Sequence, residues 1–228
     1  PEAILVVSAH WWTRGTLLTG DPTPKTIHDF SGFPRPLHEV RYPAPGSPDL
    51  AARAARLVAS VVGSEVEIST DWGLDHGSWS VLLHLYPEAD VPVLQLSLNS
   101  QLGPAQHFEL GQALAPLRYE GVLILGSGNI THNLRDALVR ASSDDPSTPA
   151  WAAAFDQRVS RALVERDSAG LIETWPDGQG ARQAHPHPDH WLPLLYAYAA
   201  AGPDDSVSFP TEGFELGSLS MRSVLWEA

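Results

Sequence analysis

The sequence has no cysteine, one methionine and few basic residues. The lack of cysteine excludes disulfides and thiolate-bound metals, so a metal would have to be held by nitrogen and oxygen ligands. With 14 Lys and Arg against 27 Asp and Glu, the formal net charge is −13. Nucleic acids and anionic membrane surfaces are recognised by clustered Lys and Arg, so this charge argues against both as partners. A small molecule is the expected partner.

Long apolar runs are also missing. No stretch approaches the length of a membrane-spanning helix, and no secretory signal peptide is visible. The chain has 228 residues, of which 43% are hydrophobic, and this suffices for one domain with a substantial core. We therefore expect a single domain over residues 1–228, a cytoplasmic location, and a monomer or homodimer.

Short apolar runs predict strands at residues 3–8, 66–69, 91–98 and 121–125. Continuous apolar runs of this kind are typical of strands that are buried on both faces. Helical patterns lie between and after them, at residues 48–62, 78–86, 104–117, 130–140, 151–166 and 188–200. Ser47, Pro48 and Gly63 would be the N-cap, the first residue and the stop of the first of these helices. The alternation predicts a three-layer α/β fold with a mixed, mostly parallel central sheet flanked by helices.

Three segments interrupt this pattern. Residues 21–48 contain seven prolines and predict a long ordered loop, of the kind that often forms a lid or a pocket wall. Residues 142–149 predict a polar linker, and residues 173–187 a polar, glycine-rich break.

The ten histidines are the residues that say most about function. His10 ends the first apolar run, and ligands of open α/β sheets bind beyond the carboxyl ends of the strands. His132 follows the Gly126-Ser127-Gly128 turn, in the first turn of a predicted helix. The positive helix terminus would keep its ring neutral, which suits a base or a metal ligand. A buried hydrogen-bonded role for His10 and a packing role for His132 fit the same positions.

Two further histidines lie near predicted helix starts. His76 sits between Asp75 and Gly77, and Asp75 could orient its imidazole. His190 lies in the first turn of the last predicted helix, where it could point into a pocket. A surface turn for His76 and a plain helix-start role for His190 are the alternatives.

Aromatic residues adjoin these histidines. Trp12 and Trp79, with His28 from the proline-rich loop, are candidates for the wall of a small-molecule pocket, although core packing of the tryptophans fits equally well. His84 and His107 fall within helical patterns and are expected to be surface or packing residues. The glycine turn matches neither a dinucleotide fingerprint nor a phosphate-binding loop.

Seven segments, in order along the chain, form a larger pattern: residues 8–11 (SAHW), 26–34 (TIHDFSGFP), 42–46 (YPAPG), 72–79 (WGLDHGSW), 127–133 (SGNITHN), 190–195 (HWLPLL) and 217–221 (GSLSM). In these segments the chain resembles the class III extradiol ring-cleaving dioxygenases, the protocatechuate 4,5-dioxygenase beta-chain superfamily. The resemblance is greatest to its DOPA 4,5-extradiol dioxygenase branch.

The resemblance implies a non-haem Fe(II)-dependent enzyme that cleaves a small, DOPA-like catechol next to its hydroxyls with O2. By the same resemblance, His10 and His190 would be metal ligands, and His76 and His132 the acid/base and substrate-positioning histidines. His132 is a possible additional ligand. Fe(II) is expected for activity, and Zn(II) is plausible in purified protein, because zinc competes well at nitrogen-rich sites.

Family members begin with a strand that ends in Gly-His-Gly-Ser-Pro, whose histidine is a further ligand. That segment would precede Pro1, so the resemblance implies a fold that lacks the first strand segment of the family. A catalytically silent, zinc-binding homologue of the same fold is the alternative function. A metal-dependent hydrolase is a weaker one, because no cluster of aspartates is evident. Activity that depends on Fe(II) and oxygen would separate the first function from the other two.

Overall fold

The computed structural model describes residues 1–143 and 147–227. Within them, the central sheet consists of β1 (Ala3–Thr13), β2 (Leu17–Thr19), β3 (Glu67–Ser69), β4 (Val93–Asn99) and β5 (Val122–Ser127). Its strand order is β3-β2-β4-β1-β5. β1 pairs in parallel with both β4 and β5, and β2 in parallel with β3, whereas β2 and β4 are antiparallel. The predicted mixed, mostly parallel sheet is confirmed.

The described helices are α1 (Arg35–Glu39), α2 (Pro48–Val62), α3 (His76–Leu85), α4 (Pro104–Leu114), α5 (Leu134–Ser142), α6 (Ala150–Glu165), α7 (Ser168–Ile172), α8 (Ala181–Ala184) and α9 (Leu192–Ala200). A 3-10 helix, Ala115–Glu120, follows α4. Near the carboxyl end, β6 (Ser206–Ser208) pairs with β9 (Leu225–Glu227), and β7 (Phe214–Glu215) with β8 (Leu219–Ser220). No helix of the described part is both long enough and apolar enough to cross a membrane.

The central strand β1 supplies side chains to two hydrophobic cores. Leu5 and Val7 belong to the core that is shared with α2, α4, α6 and α9, while Ile4 and Val6 belong to the core on the α3 side. Successive side chains of a strand point to opposite faces, so a strand with helices on both sides must be apolar at every position. Complete burial of each of these aliphatic side chains contributes about 1.5–3 kcal/mol. The three predicted layers follow from this arrangement.

Helix α2 has the predicted bounds. Pro48 is its first residue, and Gly63 ends it in the left-handed conformation, with φ of 72°. Ser47 occupies the N-cap position, but its side chain makes no capping hydrogen bond. The predicted helix at 104–117 is instead α4 followed by the 3-10 helix.

Two predicted helices start later than expected. The helices predicted from residues 130 and 188 begin at Leu134 and Leu192. The residues before each helix form turns, and backbone hydrogen bonds join these turns to each other and to α8. The amide of Asn129 donates to the carbonyl of His190, and the amide of His132 donates to the carbonyl of Ala184. His132 and His190 therefore lie outside α5 and α9, so their predicted places in first helical turns are wrong.

The sequence pattern missed short elements: β2, α1, α7, α8 and the strands near the carboxyl end. They are two to five residues long, which is too short for a hydrophobic period to be read. The predicted break at 173–187 contains α8, and the predicted loop at 21–48 contains α1. Of the predicted linker at 142–149, residues 144–146 lie outside the described part.

Candidate metal centre and active site

Four histidines from distant parts of the chain meet at one edge of the sheet: His10, His76, His132 and His190. The ring centroids of His10 and His76 are 3.8 Å apart, and those of His10 and His190 are 5.0 Å apart. The rings of His132 and His190 are stacked, with centroids 3.5 Å apart. We call this group the four-histidine cluster. The four histidines that the sequence singled out are thus brought together.

His10 reaches the cluster because β1 leaves the regular sheet before it. Pairing with β5 ends at Ser8, and the register with β4 shifts between Val7 and Trp12. Such an irregularity redirects side chains. The ring then lies against Gly77, where an added Cβ would be 2.8 Å from His10 Cδ2. Only glycine fits at this position without displacing the imidazole.

Asp75 holds the strand ends together beneath the cluster. This fully buried carboxylate accepts hydrogen bonds from Ser8 Oγ at 2.8 Å, Gln95 Nε2 at 2.7 Å and the Ser78 amide at 3.1 Å. It therefore links β1, β4 and the first turn of α3, and burial raises its pKa. The prediction that Asp75 orients His76 is wrong, because its oxygens are bound to these other groups.

Asp29 is the carboxylate that contacts His76. Its Oδ2 lies 2.9 Å from His76 Nδ1, and its Oδ1 accepts a hydrogen bond from the His76 amide at 2.9 Å. The Asp29 side chain is only 15% exposed, and Oδ2 is 4.0 Å from His10 Nδ1. Burial alone would raise the pKa of this carboxyl, but the hydrogen bonds from His76 outweigh burial and lower the pKa. Asp29 is not among the site residues that the sequence predicted, although the segment TIHDFSGFP contains it.

A second carboxylate, Asp189, lies beside His190. Its Oδ1 is 3.2 Å from His190 Nδ1, and its Oδ2 is 3.5 Å from Nδ1 of the exposed His187. His190 itself is 8% exposed, and within the described residues its Nδ1 has no hydrogen bond of good geometry. Burial would raise the pKa of Asp189, but the neighbouring His190 holds it well below its usual range.

The cluster suits a metal ion. One nitrogen or oxygen from each of His10, Asp29 and His76 lies within 4.8 Å of the others. Burial, aided by His76 and His190, lowers the pKa of His10 to about 4. Neutral imidazoles and ionised carboxylates are the forms that bind metals. Within residues 1–143 and 147–227, no Lys or Arg pairs with Asp29 or Asp189, so a cation would balance their charge.

The ring of His132 is also kept neutral, as expected, but for a different reason. Burial and the neighbouring His190 lower its pKa to about 3. The expected cause was the positive terminus of a helix, but His132 is not in a helical turn, because α5 begins at Leu134. A neutral ring can bind a metal or accept a hydrogen bond.

An aromatic wall flanks His76. The ring of Phe30 packs edge-on against His76 at 5.3 Å, and His28 lies 5.9 Å from Phe30 and 5.7 Å from Trp79. Trp79 is 2% exposed and donates its Nε1 hydrogen to the carbonyl of Ile27, so it packs behind this wall. Trp12 lies apart from it, against the ring of His187. The proline-rich loop thus supplies His28 and Phe30 beside the cluster.

A cavity of about 940 Å³ extends from His190 along β5. At the end of β5, Gly126 and Gly128 allow the backbone around His190 and Pro193 to pack closely against the chain. An added Cβ at Gly126 would be 2.3 Å from the carbonyl oxygen of Pro193, and one at Gly128 would be 2.4 Å from that of His190. Of the four cluster histidines, His190 alone is among the described residues that line this cavity, so the cavity is separate from the aromatic wall of Phe30 and His28.

Two buried histidines lie outside the cluster. His107 Nδ1 is hydrogen-bonded to the Tyr196 hydroxyl at 2.8 Å, and His185 Nε2 donates to the carbonyl of Ile130 at 2.8 Å. Burial lowers the pKa of each to about 4. His107 is a buried packing residue and His84 is exposed on α3, so both fit the predicted surface or packing roles.

Residues 1–223 match the family described as the catalytic LigB subunit of aromatic ring-opening dioxygenase. The chain belongs to this family. It is 46% identical to the 4,5-DOPA dioxygenase extradiol of Escherichia coli K12 and 41% identical to that of Beta vulgaris, in each case over 98% of this chain and 82% of the relative. A solved Escherichia coli K12 structure superposes with a TM-score of 0.80 at 40% identity, and the match covers 98% of this chain and 85% of that one.

The resemblance inferred from the seven segments is therefore confirmed. The protein is an aromatic ring-opening dioxygenase of the extradiol type, and a small aromatic compound and O2 are its substrates. Dioxygenases of this family depend on a metal, and the His10, Asp29 and His76 group is a possible site for one.

Proposed function

We infer that the protein is a non-haem Fe(II)-dependent extradiol dioxygenase that opens the ring of a small, DOPA-like catechol. The observation that carries this proposal is the four-histidine cluster with two carboxylates at the carboxyl edge of the strands, in a chain similar to enzymes named 4,5-DOPA dioxygenase extradiol.

By the resemblance to the family, His10 and His190 would hold the iron, with His132 as a possible additional ligand. Of the His10, Asp29 and His76 group this assignment uses only His10, because Asp29 and His76 are paired with each other. The pKa of His10 is lowered to about 4, and the ring of His190 is buried. Nitrogen-rich sites of this kind accept iron or zinc. Ferrous iron, when bound, supplies the electron transfer between catechol and dioxygen, which zinc cannot provide.

His76 is the candidate base for a catechol hydroxyl proton. It contacts the ring of His10 on one side and the carboxylate of Asp29 on the other. An imidazole that has taken up a proton is stabilised by an adjacent carboxylate. His132, in contrast, is stacked on His190, where burial opposes a positive charge. It is better suited to hold the substrate through a hydrogen bond.

The pocket wall fits an aromatic substrate. Phe30 and His28 present ring faces and edges beside His76, and rings pack favourably in edge-to-face contacts. A catechol with its hydroxyls at the cluster would therefore have its ring against the proline-rich loop. Trp12 is not part of this wall; it lies against His187, which faces Asp189, and would border the site only there.

The experiment is oxygen uptake by protein that has been loaded anaerobically with Fe(II) and given a panel of catechols headed by L-DOPA. We expect oxygen consumption with a coloured ring-opened product, and its loss in His132→Ala. The zinc-loaded protein is the control, because it has the same fold and a redox-inactive metal. Iron-loaded protein that consumes no oxygen with any catechol would contradict the proposal and favour a silent metal-binding homologue.

A further inference from the structure

We propose that Asp29 is a positioning residue that fixes the tautomer of His76, with the proton on Nδ1 and the lone pair of Nε2 free. The proposal rests on the proposed function for its consequence in catalysis, but the tautomer itself can be measured without any activity.

The geometry of the pair defines the tautomer. Oδ1 of Asp29 accepts the hydrogen bond of the His76 amide, and Oδ2 faces Nδ1, both at 2.9 Å. An ionised carboxylate can only accept hydrogen bonds, so Nδ1 must carry the hydrogen. In a neutral imidazole the other nitrogen is then an acceptor. Among residues 1–143 and 147–227, no group forms a hydrogen bond with Nε2.

The surroundings hold this arrangement in place. The backbone bond from His76 to Oδ1 is made by the first residue of α3, where helical amides lack partners within the helix. The carboxylate is thus anchored to the start of a helix and cannot rotate freely. Phe30, the next residue along the loop, packs its ring against the imidazole at 5.3 Å. The two loop residues fix both the hydrogen bonding and the plane of the His76 ring.

A direct metal-ligand role for Asp29 is the competing possibility, because its Oδ2 is 4.0 Å from His10 Nδ1. Both carboxylate oxygens, however, are already hydrogen-bonded to His76. Metal-binding sites commonly use such a carboxylate to orient a neighbouring imidazole. The two roles differ in what the loss of the carboxylate does to metal content, so they can be separated.

The Asp29→Asn variant distinguishes them with almost no change of shape. The amide oxygen can still accept from the His76 backbone, which places the amide NH2 opposite Nδ1. Because that group donates, Nδ1 must become the acceptor and the proton must move to Nε2. The ring would then present a hydrogen, not a lone pair, to the substrate.

The first measurement is a long-range ¹⁵N–¹H NMR correlation on zinc-loaded protein with ¹⁵N-labelled histidine, the His76 signals being assigned by their loss in His76→Gln. We expect the Nδ1–H tautomer in the unmodified protein and Nε2–H in Asp29→Asn. An Nε2–H tautomer in the unmodified protein, or no change in the variant, would overturn the proposal.

The second measurement compares metal content, melting temperature, KM and kcat of the iron-loaded proteins. In Asp29→Asn we expect the first three to stay near those of the unmodified protein and kcat to fall by about 100-fold or more, as when a general base is lost. Asp21→Asn is the matched control, because Asp21 lies in the same loop and its carboxylate accepts hydrogen bonds from exposed Thr23. It should change none of these values.

The outcomes are distinct. Loss of bound iron in Asp29→Asn would make Asp29 a ligand and overturn the proposal. A switched tautomer with an unchanged kcat would support the positioning role of Asp29 and contradict the proposed role of His76 as the base. If the unmodified protein proves inactive with every catechol, the proposed function fails, whereas the NMR comparison still decides which nitrogen of His76 carries the hydrogen in the presence of Asp29.

Discussion

The four-histidine cluster and the two buried histidines of the helical layers contain the same residue type in different settings. Burial lowers the pKa of His10 to about 4, and it lowers the pKa of His107 and His185 to about 4 as well. A lowered pKa therefore does not mark the site by itself. The difference lies in the partners. His107 and His185 are hydrogen-bonded to a hydroxyl and a carbonyl, whereas the cluster brings imidazoles together with two carboxylates.

The largest expected effect is on activity within the cluster. In His10→Ala we expect loss of bound iron and a fall in kcat of more than about 100-fold, because loss of a group that only supports a metal ligand already costs about 10–100-fold. Metal analysis and oxygen uptake would measure both. His107→Gln is the matched histidine variant outside the cluster and should retain its iron and most of its kcat. Equal losses of iron and kcat in the two variants would contradict the claim that the cluster histidines differ in function from the buried histidines outside it.

The second prediction concerns stability at acid pH. His107 has a pKa of about 4 in the folded protein against 6.5 ordinarily. As the pH falls from 6.5 towards 4, the unfolded chain therefore binds a proton at this residue that the folded protein does not. The free energy of unfolding should decrease by up to about 3 kcal/mol from this residue alone.

His107→Gln tests this directly by urea unfolding at neutral pH and near pH 4. The variant should lose less stability between the two conditions than the unmodified protein, although His185 keeps part of the pH dependence. An identical pH dependence in both proteins would show that His107 is not a buried neutral residue.

A smaller effect is expected at Gly77. An added Cβ would be 2.5 Å from Ser8 Oγ and 2.8 Å from His10 Cδ2, so Gly77→Ala must displace the imidazole. Displacements of about 1 Å in a catalytic group cost about 100-fold in rate. We expect kcat to fall by about 10–100-fold with the fold retained, as measured by oxygen uptake and circular dichroism. Gly103→Ala is the control, because nothing lies near its added Cβ. Full activity in Gly77→Ala would mean that His10 need not lie where it does.

The smallest effect is expected at Tyr196. Tyr196→Phe removes the hydroxyl that is bonded to His107 Nδ1, and the loss of such a buried hydrogen bond costs about 1–3 kcal/mol. We expect a lower melting temperature and an unchanged kcat, since the pair does not contact the cluster. A change in kcat without a change in stability would link this buried pair to the reaction.

Much of the fold followed from local signals. The bounds of α2 were predictable because Pro48 and Gly63 mark its ends. The start of β1 was predictable because an uninterrupted apolar run must be covered on both faces, but the strand continues past the predicted end at residue 8 to Thr13. The convergence of His10 and His132 followed from parallel strands that end at one edge. The strand β2 and the helix α1 are three and five residues long, so no period revealed them.

The partner of His76 could not be predicted from neighbours in the sequence. Asp75 precedes His76, but it is the N-cap of α3 and accepts from the Ser78 amide. Asp29 reaches His76 because the proline-rich loop folds back on the sheet edge, where the Ile27 amide donates to the carbonyl of Leu74. This contact joins residues that are far apart in the chain, so it depends on tertiary structure that no local pattern encodes.

The most direct test of the account is oxygen uptake with a DOPA-headed catechol panel, measured side by side for the Fe(II)-loaded protein, the zinc-loaded protein and Fe(II)-treated His10→Ala. We predict ring-opening with oxygen consumption in the first and none in the other two. Equal oxygen consumption in all three, or none in the first although iron is bound, would contradict a metal-dependent dioxygenase built on the four-histidine cluster.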